Sequence, residues 1–152
     1  MKVQQDKTAG FCMGVRRALE KVLGEAYKEP GPIFAYGPLI HNEQVMKLLE
    51  SKGVQVVSDI SAIKHGTIII RAHGIPPQDR KLLKNSGLRI IDATCPRVAR
   101  VQALIRYHTH KGYLAVIVGE PDHPEVIGLK GHGNGKAFVI STSEEVSLLP
   151  EA

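Results

Sequence analysis

Apolar runs alternate along the chain with segments whose apolar positions recur at the spacing of an α-helix. Most of the runs are continuously apolar, which is typical of strands in a parallel sheet that is covered on both faces. A short strand is predicted before Cys12, and six further strands are predicted at residues 33–36, 54–57, 67–70, 88–91, 113–118 and 137–140. The predicted helices alternate with them, at about 13–27, 42–53, 78–86, 96–111 and from Pro124 onward. We therefore expect an α/β fold of small parallel-sheet domains with helices on both faces.

Domain boundaries carry little signal in this sequence, because no stretch is rich in serine or of low complexity. We expect a first α/β domain over residues 1–95 and an incomplete second α/β domain over residues 96–152. Ser141 and Glu144 have the Ser-x-x-Glu spacing of a helix capping box. A helix is predicted to begin there, so we expect the sequence to be cut inside a strand–helix unit.

Composition and charge narrow the classes of partner. The N-terminus lacks the apolar core of a signal peptide, and no run is long enough to span a bilayer, so we expect a soluble, cytoplasmic protein without membrane contact. Twenty lysines and arginines against 15 acidic residues give a net charge of +5, which suits an anionic small molecule, an acidic protein or weakly bound nucleic acid. The basic residues are dispersed and aromatic residues make up only 5% of the chain, which argues against nucleic acid.

Cys12 occupies a predicted junction between a short strand and a helix, with Gly10 and Gly14 on either side. Glycines let the backbone bend and approach a ligand closely, and the free N–H groups of a helix start favour a thiolate. Cys95 comes 83 positions later, and there is no secretory signal. The two cysteines are therefore expected to be reduced thiols or metal ligands rather than a disulfide. The alternative is that Cys12 is a small apolar residue that fills a turn.

Residues that commonly bind metals or anions come directly after successive predicted strands. Along the chain they are Cys12, His41, His73, Cys95 and His123, at intervals of 29, 32, 22 and 28 residues. One strand–helix–strand step takes about 30 residues. Because ligands of parallel sheets lie beyond the carboxyl ends of the strands, we expect these five side chains to meet at one edge and form the ligand site.

The residues alone leave the chemistry of this site open. A zinc site is disfavoured, since its ligands usually include a close pair such as Cys-x-x-Cys. An iron–sulfur cluster uses thiolates, of which the chain supplies two. Histidines at helix starts suit phosphate groups. Each of the three histidines also has a structural alternative as a loop or capping residue.

The remaining histidines and several basic residues have no comparable placement. We expect them at the surface or on solvated helix faces: His65, His108, His110, His132, Arg16, Arg17, Arg97 and Arg100. Arg71 differs from them because it lies just before His73.

Five motifs occur in the order in which one protein family has them. They are Gly-Phe-Cys-Met-Gly-Val-Arg-Arg-Ala at 10–18, Gly-Pro-Leu-Ile-His-Asn at 37–42, Arg-Ala-His-Gly at 71–74, Asp-Ala-Thr-Cys-Pro at 92–96 and Gly-Glu-Pro-Asp-His-Pro-Glu-Val at 119–126. With them the chain resembles the 4-hydroxy-3-methylbut-2-enyl diphosphate reductase family along nearly its whole length. The resemblance implies the last step of the methylerythritol phosphate route to isoprenoids, in which an allylic hydroxyl is removed to give isopentenyl and dimethylallyl diphosphates.

The resemblance also implies roles for individual residues. Cys12 and Cys95 match two of the three cysteines that hold the family's iron–sulfur cluster, which is of the 4Fe-4S type. His41, His73 and His123 match the histidines that contact the substrate diphosphate.

A proton source and a reductant are implied as well. Glu125 matches the acid that supplies protons as the hydroxyl leaves. The family takes its electrons from ferredoxin or flavodoxin.

The sequence departs from the family after the last of these motifs. The family continues into a further α/β domain with the third cluster cysteine, a Ser-x-Asn motif for the diphosphate and a threonine that assists proton delivery, and this sequence has none of them. We therefore expect the N-terminal part of a reductase, as a fragment, a truncated gene product or one piece of a split protein. The alternatives are a diphosphate-binding module without redox chemistry and a non-functional remnant.

Overall fold

A computed structural model describes residues 2–28 and 30–150 of the chain. Its helices are α1 (Met13–Glu25), α2 (Glu43–Ser51), α3 (Pro77–Asn85), α4 (Pro96–His110) and α5 (Pro124–Gly131). Its strands are β1 (Ile33–Tyr36), β2 (Val54–Val57), β3 (Thr67–Ile70), β4 (Arg89–Asp92), β5 (Ala115–Val118) and β6 (Ala137–Ile140). Two short 3-10 helices lie at Ala26–Lys28 and Glu144–Leu148.

The strands form two parallel sheets. The first has four strands in the order β2-β1-β3-β4, with Ile33 opposite both Val54 and Thr67. The second pairs β5 with β6, beginning with Ala115 opposite Ala137. Helix α4 connects β4, the last strand of the first sheet, to β5, the first strand of the second. The division of the chain into domains at residue 95 stays a prediction.

Both faces of the four-stranded sheet are buried. On one face Ile69 packs with Val22 of α1 and Leu49 of α2. On the other face Ile68 packs with Leu83 of α3. Since neighbouring residues of β3 point to opposite faces and both are fully buried, the continuous apolar run of this strand is explained, and the expected α/β fold with helices on both faces is confirmed.

The start of the chain differs from expectation. No strand precedes Cys12 within the described residues, because residues 2–12 are irregular and exposed. Val3 is the one bulky apolar residue before Phe11 in that segment and is 77% exposed, and Asp6 accepts the Thr8 N–H at 2.6 Å in a local turn. A segment with a single bulky apolar side chain has too little apolar surface to pack as a strand, so the prediction of a strand before Cys12 was wrong.

The segment after β6 is also different. The predicted capping box does not start an α-helix among residues 141–150, where only the 3-10 helix Glu144–Leu148 forms. In the predicted capping box Glu144 would accept the Ser141 N–H. In the structure the Glu145 carboxylate accepts it, at 2.7 Å. None of the described helices has the length and apolar character required to cross a bilayer.

Helix α5 lies against the loop after β3. A Cβ on Gly131 would approach Pro76 to 2.8 Å, and one on Gly128 would lie 3.5 Å from the His73 carbonyl oxygen. At Gly131 the absence of a side chain permits this close approach of helix and loop, whereas a Cβ on Gly128 would make an ordinary van der Waals contact. As a result, the loops after β3 and β5 face each other.

Candidate active site

Three histidine rings from three different loops form a cluster. The ring centroids of His41 and His73 are 4.7 Å apart, those of His41 and His123 are 5.3 Å apart, and those of His73 and His123 are 5.8 Å apart. Two of the loops come after β1 and β3 of the four-stranded sheet, whose carboxyl ends lie on one side, and the third comes after β5 of the second sheet. The structure therefore brings together the three histidines that the strand ends pointed to.

Main-chain hydrogen bonds through Ala72 hold these loops in register. The Ala72 N–H donates to the Leu39 carbonyl at 3.1 Å, and the Cys95 N–H donates to the Ala72 carbonyl at 2.9 Å. Leu39 and Ala72 are both buried, so they fix the main chain next to the polar residues of these loops. The positions of His41, His73 and Cys95 thus depend on one another.

His73 and His123 are partly buried, whereas His41 is exposed. The pKa of His73 is lowered from 6.5 to about 4. Burial is the largest cause, and the nearby charges of His41, Arg71 and His123 act in the same direction. The His73 Nδ1 atom is buried and has no hydrogen-bond partner among the described residues. At neutral pH His73 is consequently an uncharged ring with an unused polar atom, as expected where a polar ligand completes the site.

A fixed positive charge lies beside the histidines. The Arg71 guanidinium packs against Gly37, where an added Cβ would be 2.6 Å from its Nη1 atom, and Arg71 Nε donates to the Gly74 carbonyl at 3.4 Å. Burial lowers the pKa of Arg71, while interaction with Tyr36 and Asp79 raises it. A guanidinium stays charged at any physiological pH, so the cluster carries positive potential even when all three rings are neutral.

His123 has two roles in the structure. It is the N-cap of α5, since its Nδ1 accepts the Glu125 N–H at 3.2 Å, and Pro124 occupies the first turn. The capping alternative for this residue is therefore correct, and yet its ring also belongs to the cluster. Because Nδ1 accepts a hydrogen bond, the proton of the neutral ring lies on Nε2, which leaves that N–H available to donate to an anion. Glu125 is held next to it in the first turn of α5.

The two cysteines lie at the starts of two helices. Cys12 is the N-cap of α1 and is exposed, Cys95 is the N-cap of α4 and is partly exposed, and both thiols are free. A Cβ on Gly14 would lie 2.6 Å from Cys95 Sγ and 3.9 Å from Cys12 Sγ. Both sulfur atoms therefore face the same small space, at the positive ends of two helices.

Soft thiolate donors of this kind fit an iron–sulfur cluster as partial ligands. Within residues 2–28 and 30–150 no group of three or more histidine, cysteine or acidic residues is arranged to hold a metal ion. The described part of the chain thus offers two sulfur ligands rather than a complete protein ligand set.

Comparison with known proteins identifies the family. The model of the family described as LytB protein matches residues 3–152. The chain belongs to the LytB protein family. The resemblance drawn from the five motifs is thereby confirmed.

Named relatives and solved structures agree with the LytB assignment. The 4-hydroxy-3-methylbut-2-enyl diphosphate reductases of Alkaliphilus oremlandii and Geobacter sulfurreducens are 40% and 41% identical over 151 and 150 residues, in each case 99% of this chain. The matched regions are 54% and 53% of those proteins, so the chain spans about half the length of the curated relatives it matches.

Two solved structures are similar. One is an (E)-4-hydroxy-3-methyl-but-2-enyl diphosphate reductase, the terminal enzyme of the non-mevalonate pathway, with a TM-score of 0.78, 42% identity and coverage of 93% of this chain and 52% of that one. The other is the E-1-hydroxy-2-methyl-but-2-enyl-4-diphosphate reductase from Plasmodium falciparum, with a TM-score of 0.89, 32% identity and coverage of 96% and 46%.

Gln102 of this LytB chain was missed by the sequence interpretation. It projects from α4 and is 5% exposed, and within residues 2–28 and 30–150 its Nε2 atom has no hydrogen-bond partner. That atom lies against Gly74 and would be 3.6 Å from a Cβ on Gly128, so the amide is wedged between the loop of His73 and α5. The only sequence signal is a polar residue on the inward face of a helix, which is too common to stand out.

His132 was expected at the surface, and that expectation was wrong. It is 8% exposed because it caps the C-terminus of α5, where its Nδ1 lies 2.8 Å from the Gly128 carbonyl oxygen. Burial lowers the pKa of His132, against the opposing effect of that hydrogen bond, and the charges of Arg106 and Arg80 lower it further. His65, His108 and His110 are exposed as expected.

Proposed function

We propose that the chain forms part of a 4-hydroxy-3-methylbut-2-enyl diphosphate reductase, as an N-terminal piece that binds the substrate diphosphate and part of an iron–sulfur cluster. The observation that carries the proposal is the histidine cluster, with ring centroids 4.7 to 5.8 Å apart, on the loops next to the paired thiols of Cys12 and Cys95. The names of the relatives and the family model support the same activity.

The diphosphate would be bound by His41, His73 and His123. The Nε2–H of His123 is a donor of known orientation, because its Nδ1 is engaged by α5. His73 contributes a polar ring with an unsatisfied atom, and Arg71 adds a permanent positive charge. The uncharged His73 ring beside this fixed cation contributes to anion binding without the cost of burying a second like charge.

Cys12 and Cys95 would hold an iron–sulfur cluster of the 4Fe-4S type, with a further ligand from outside the described residues. When bound, such a cluster supplies single electrons and a Lewis-acidic iron. The overall change consumes two electrons and two protons and releases the allylic hydroxyl as water, giving isopentenyl and dimethylallyl diphosphates. Ferredoxin or flavodoxin in the cytoplasm would provide the electrons.

Glu125 would supply a proton to the departing hydroxyl oxygen. The Glu125 backbone N–H donates to His123 Nδ1, so Glu125 is held next to a residue that would contact the diphosphate. A carboxylic acid held near a leaving oxygen is a suitable general acid. In the proposed arrangement residues 1–95 form one domain and residues 96–152 the beginning of a second, and Glu125 lies in the latter.

A second candidate function is a diphosphate-binding module without redox chemistry. It is favoured by one observation: the described residues provide the histidine cluster in full and the sulfur ligands only in part. Such a module would bind diphosphate equally well with or without its thiols.

Iron content separates the two functions. Iron and acid-labile sulfide would be measured per chain after anaerobic reconstitution, with Cys12→Ser and Cys95→Ser as variants and His108→Ala, an exposed histidine outside the cluster, as the matched control. For the reductase we expect a brown protein whose iron is lost in both cysteine variants and retained in the control. A colourless protein that still binds inorganic diphosphate would favour the module, and normal iron in either cysteine variant would overturn the ligand assignment.

A further inference from the structure

A cleft separate from the histidine cluster runs between α3 and α4. Its volume is about 350 Å³. It is lined by Pro77, Arg80, Lys81, Lys84, Ala99, Gln102, Ala103, Arg106 and His132. None of the proposed cluster or diphosphate ligands is among them, so the cleft belongs to neither part of the site described above.

The lining results from the periodicity of the two helices. Pro77, Arg80 and Lys84 recur at positions 0, +3 and +7 of α3, which places them on one face. Ala99 and Ala103 do the same on α4. Because alanine side chains are small, the facing helices leave space between them rather than closing into a packed interface.

The cleft carries an excess of positive charge. Arg80 pairs with Asp92 at 2.6 Å. Over the described parts of the chain, Lys81, Lys84 and Arg106 make no ion pair. Three uncompensated cations around a space of this size attract an anion and hold it by charge-assisted hydrogen bonds.

Two buried polar side chains form the inner wall. Gln102 is 5% exposed, and the donor atom of its amide has no hydrogen-bond partner in the part of the chain that the structure describes. His132 is 8% exposed, and its Nδ1 must donate to the Gly128 carbonyl, because a carbonyl oxygen only accepts. The inner wall is therefore polar, and the Nε2 atom of Gln102 is buried against Gly74 rather than exposed to the cleft.

We infer that this cleft binds a small polyanion of the diphosphate or polyphosphate class, independently of the proposed reductase activity. Its volume lies within the range of about 300–1,000 Å³ that is usual for small-molecule sites. Lysines and arginines on two helices suit the several oxygens of a polyphosphate better than those of a single carboxylate. Occupancy would tie α3 to α4, the helices that come after the loops of His73 and Cys95.

The test measures binding of inorganic diphosphate by calorimetry at physiological salt. His41→Ala combined with His123→Asn removes two rings of the histidine cluster while keeping a good capping residue on α5. On that background, Lys81→Glu/Lys84→Glu is compared with Lys52→Glu/Lys136→Glu, which changes the net charge equally at exposed lysines outside the cleft. The cleft pair is expected to weaken binding about tenfold or more, and the control pair less than about twofold.

A second measurement on the unaltered chain does not depend on the folding of any variant. Ring signals of His132 and the side-chain amide signals of Gln102 are followed by NMR as inorganic diphosphate is added, and both are expected to shift with one saturable isotherm. Diphosphate that shifts only His41, His73 and His123, equal losses in the two lysine pairs, or an adventitious ion only, whose binding vanishes at about 0.15 M salt, would each overturn the inference.

Discussion

The sulfur of Cys95 fills the space that a side chain on Gly14 would need. A Cβ on Gly14 would lie 2.6 Å from Cys95 Sγ and 3.2 Å from Cys95 Cβ. Gly14 is the second residue of α1, and Cys95 is the residue before α4, so two helix starts meet at this point. The absence of a side chain at residue 14 lets both thiols face the same space.

Gly14→Ala is therefore expected to push the Cys95 sulfur aside and lower the iron retained after anaerobic reconstitution to the level of Cys95→Ser. Gly24→Ala is the matched control, because Gly24 lies in the same helix with nothing within 4 Å of its added Cβ. The control should keep its iron and gain about 0.5–1 kcal/mol in free energy of unfolding, since alanine favours a helix. Equal iron contents in the two variants would contradict this role of Gly14.

The burial of His73 predicts a pH dependence of stability. Its pKa falls from 6.5 to about 4 on folding, so between these values the unfolded chain binds a proton that the folded chain does not. Folding is then opposed as the pH falls, and the contribution of His73 is complete above pH 6.5 and lost progressively toward pH 4. The free energy of unfolding in urea should decrease less between pH 7 and pH 5 in His73→Gln than in the unaltered chain.

His108→Gln provides the comparison for that experiment, because His108 is exposed on α4 and away from the cluster. It should behave like the unaltered chain at every pH. Parallel curves for His73→Gln and the unaltered chain would show that the buried ring does not govern the acid limb of stability.

Strands with a continuous apolar run and helices with apolar residues at helical spacing could be predicted from the sequence. Strand β3 is an example, because its apolar run needs cover on both faces and receives it from α1, α2 and α3. The region before Cys12 was mispredicted since it holds too few apolar residues to bury. The pairing order β2-β1-β3-β4 was not predicted, because it depends on contacts between distant segments rather than on local pattern.

For the candidate site, the strand ends were enough to group His41, His73 and His123. The strand ends did not reveal Gly14, which leaves space for neighbouring side chains, or Gln102, which fills space between two elements. Gly14 and Gln102 act through distances of a few ångströms between helices, and such distances have no signature in one sequence.

The capping role of His123 can be separated from the role of its ring. His123→Ala removes the acceptor for the Glu125 N–H and should lower the free energy of unfolding by about 1 kcal/mol. His123→Asn restores a good N-cap and should be within a few tenths of the original stability. Both variants lose the ring and should bind inorganic diphosphate more weakly than the unaltered chain by calorimetry. If only the alanine variant binds more weakly, the ring is not a diphosphate contact.

Gly74 tests the packing that orients the His73 loop. Gly74 and Gly53 both have positive φ, at +72° and +87°, so alanine is strained at either position by about 1–2 kcal/mol. At Gly53 the added Cβ meets nothing within 4 Å, whereas at Gly74 it overlaps the Gln102 amide and lies 3.2 Å from a Thr94 methyl group. Gly74→Ala should consequently destabilise the chain more than Gly53→Ala in urea unfolding.

The same pair of glycines can be tied to Gln102 by a double-mutant cycle. Adding Gln102→Ala should recover part of the stability lost in Gly74→Ala, because it removes the side chain that the new Cβ meets. It should recover none of the loss in Gly53→Ala, which arises from backbone strain alone. Equal effects of Gln102→Ala in both backgrounds would mean that the amide is not what confines the loop, and the place of His73 in the cluster would then depend on the main-chain bonds through Ala72.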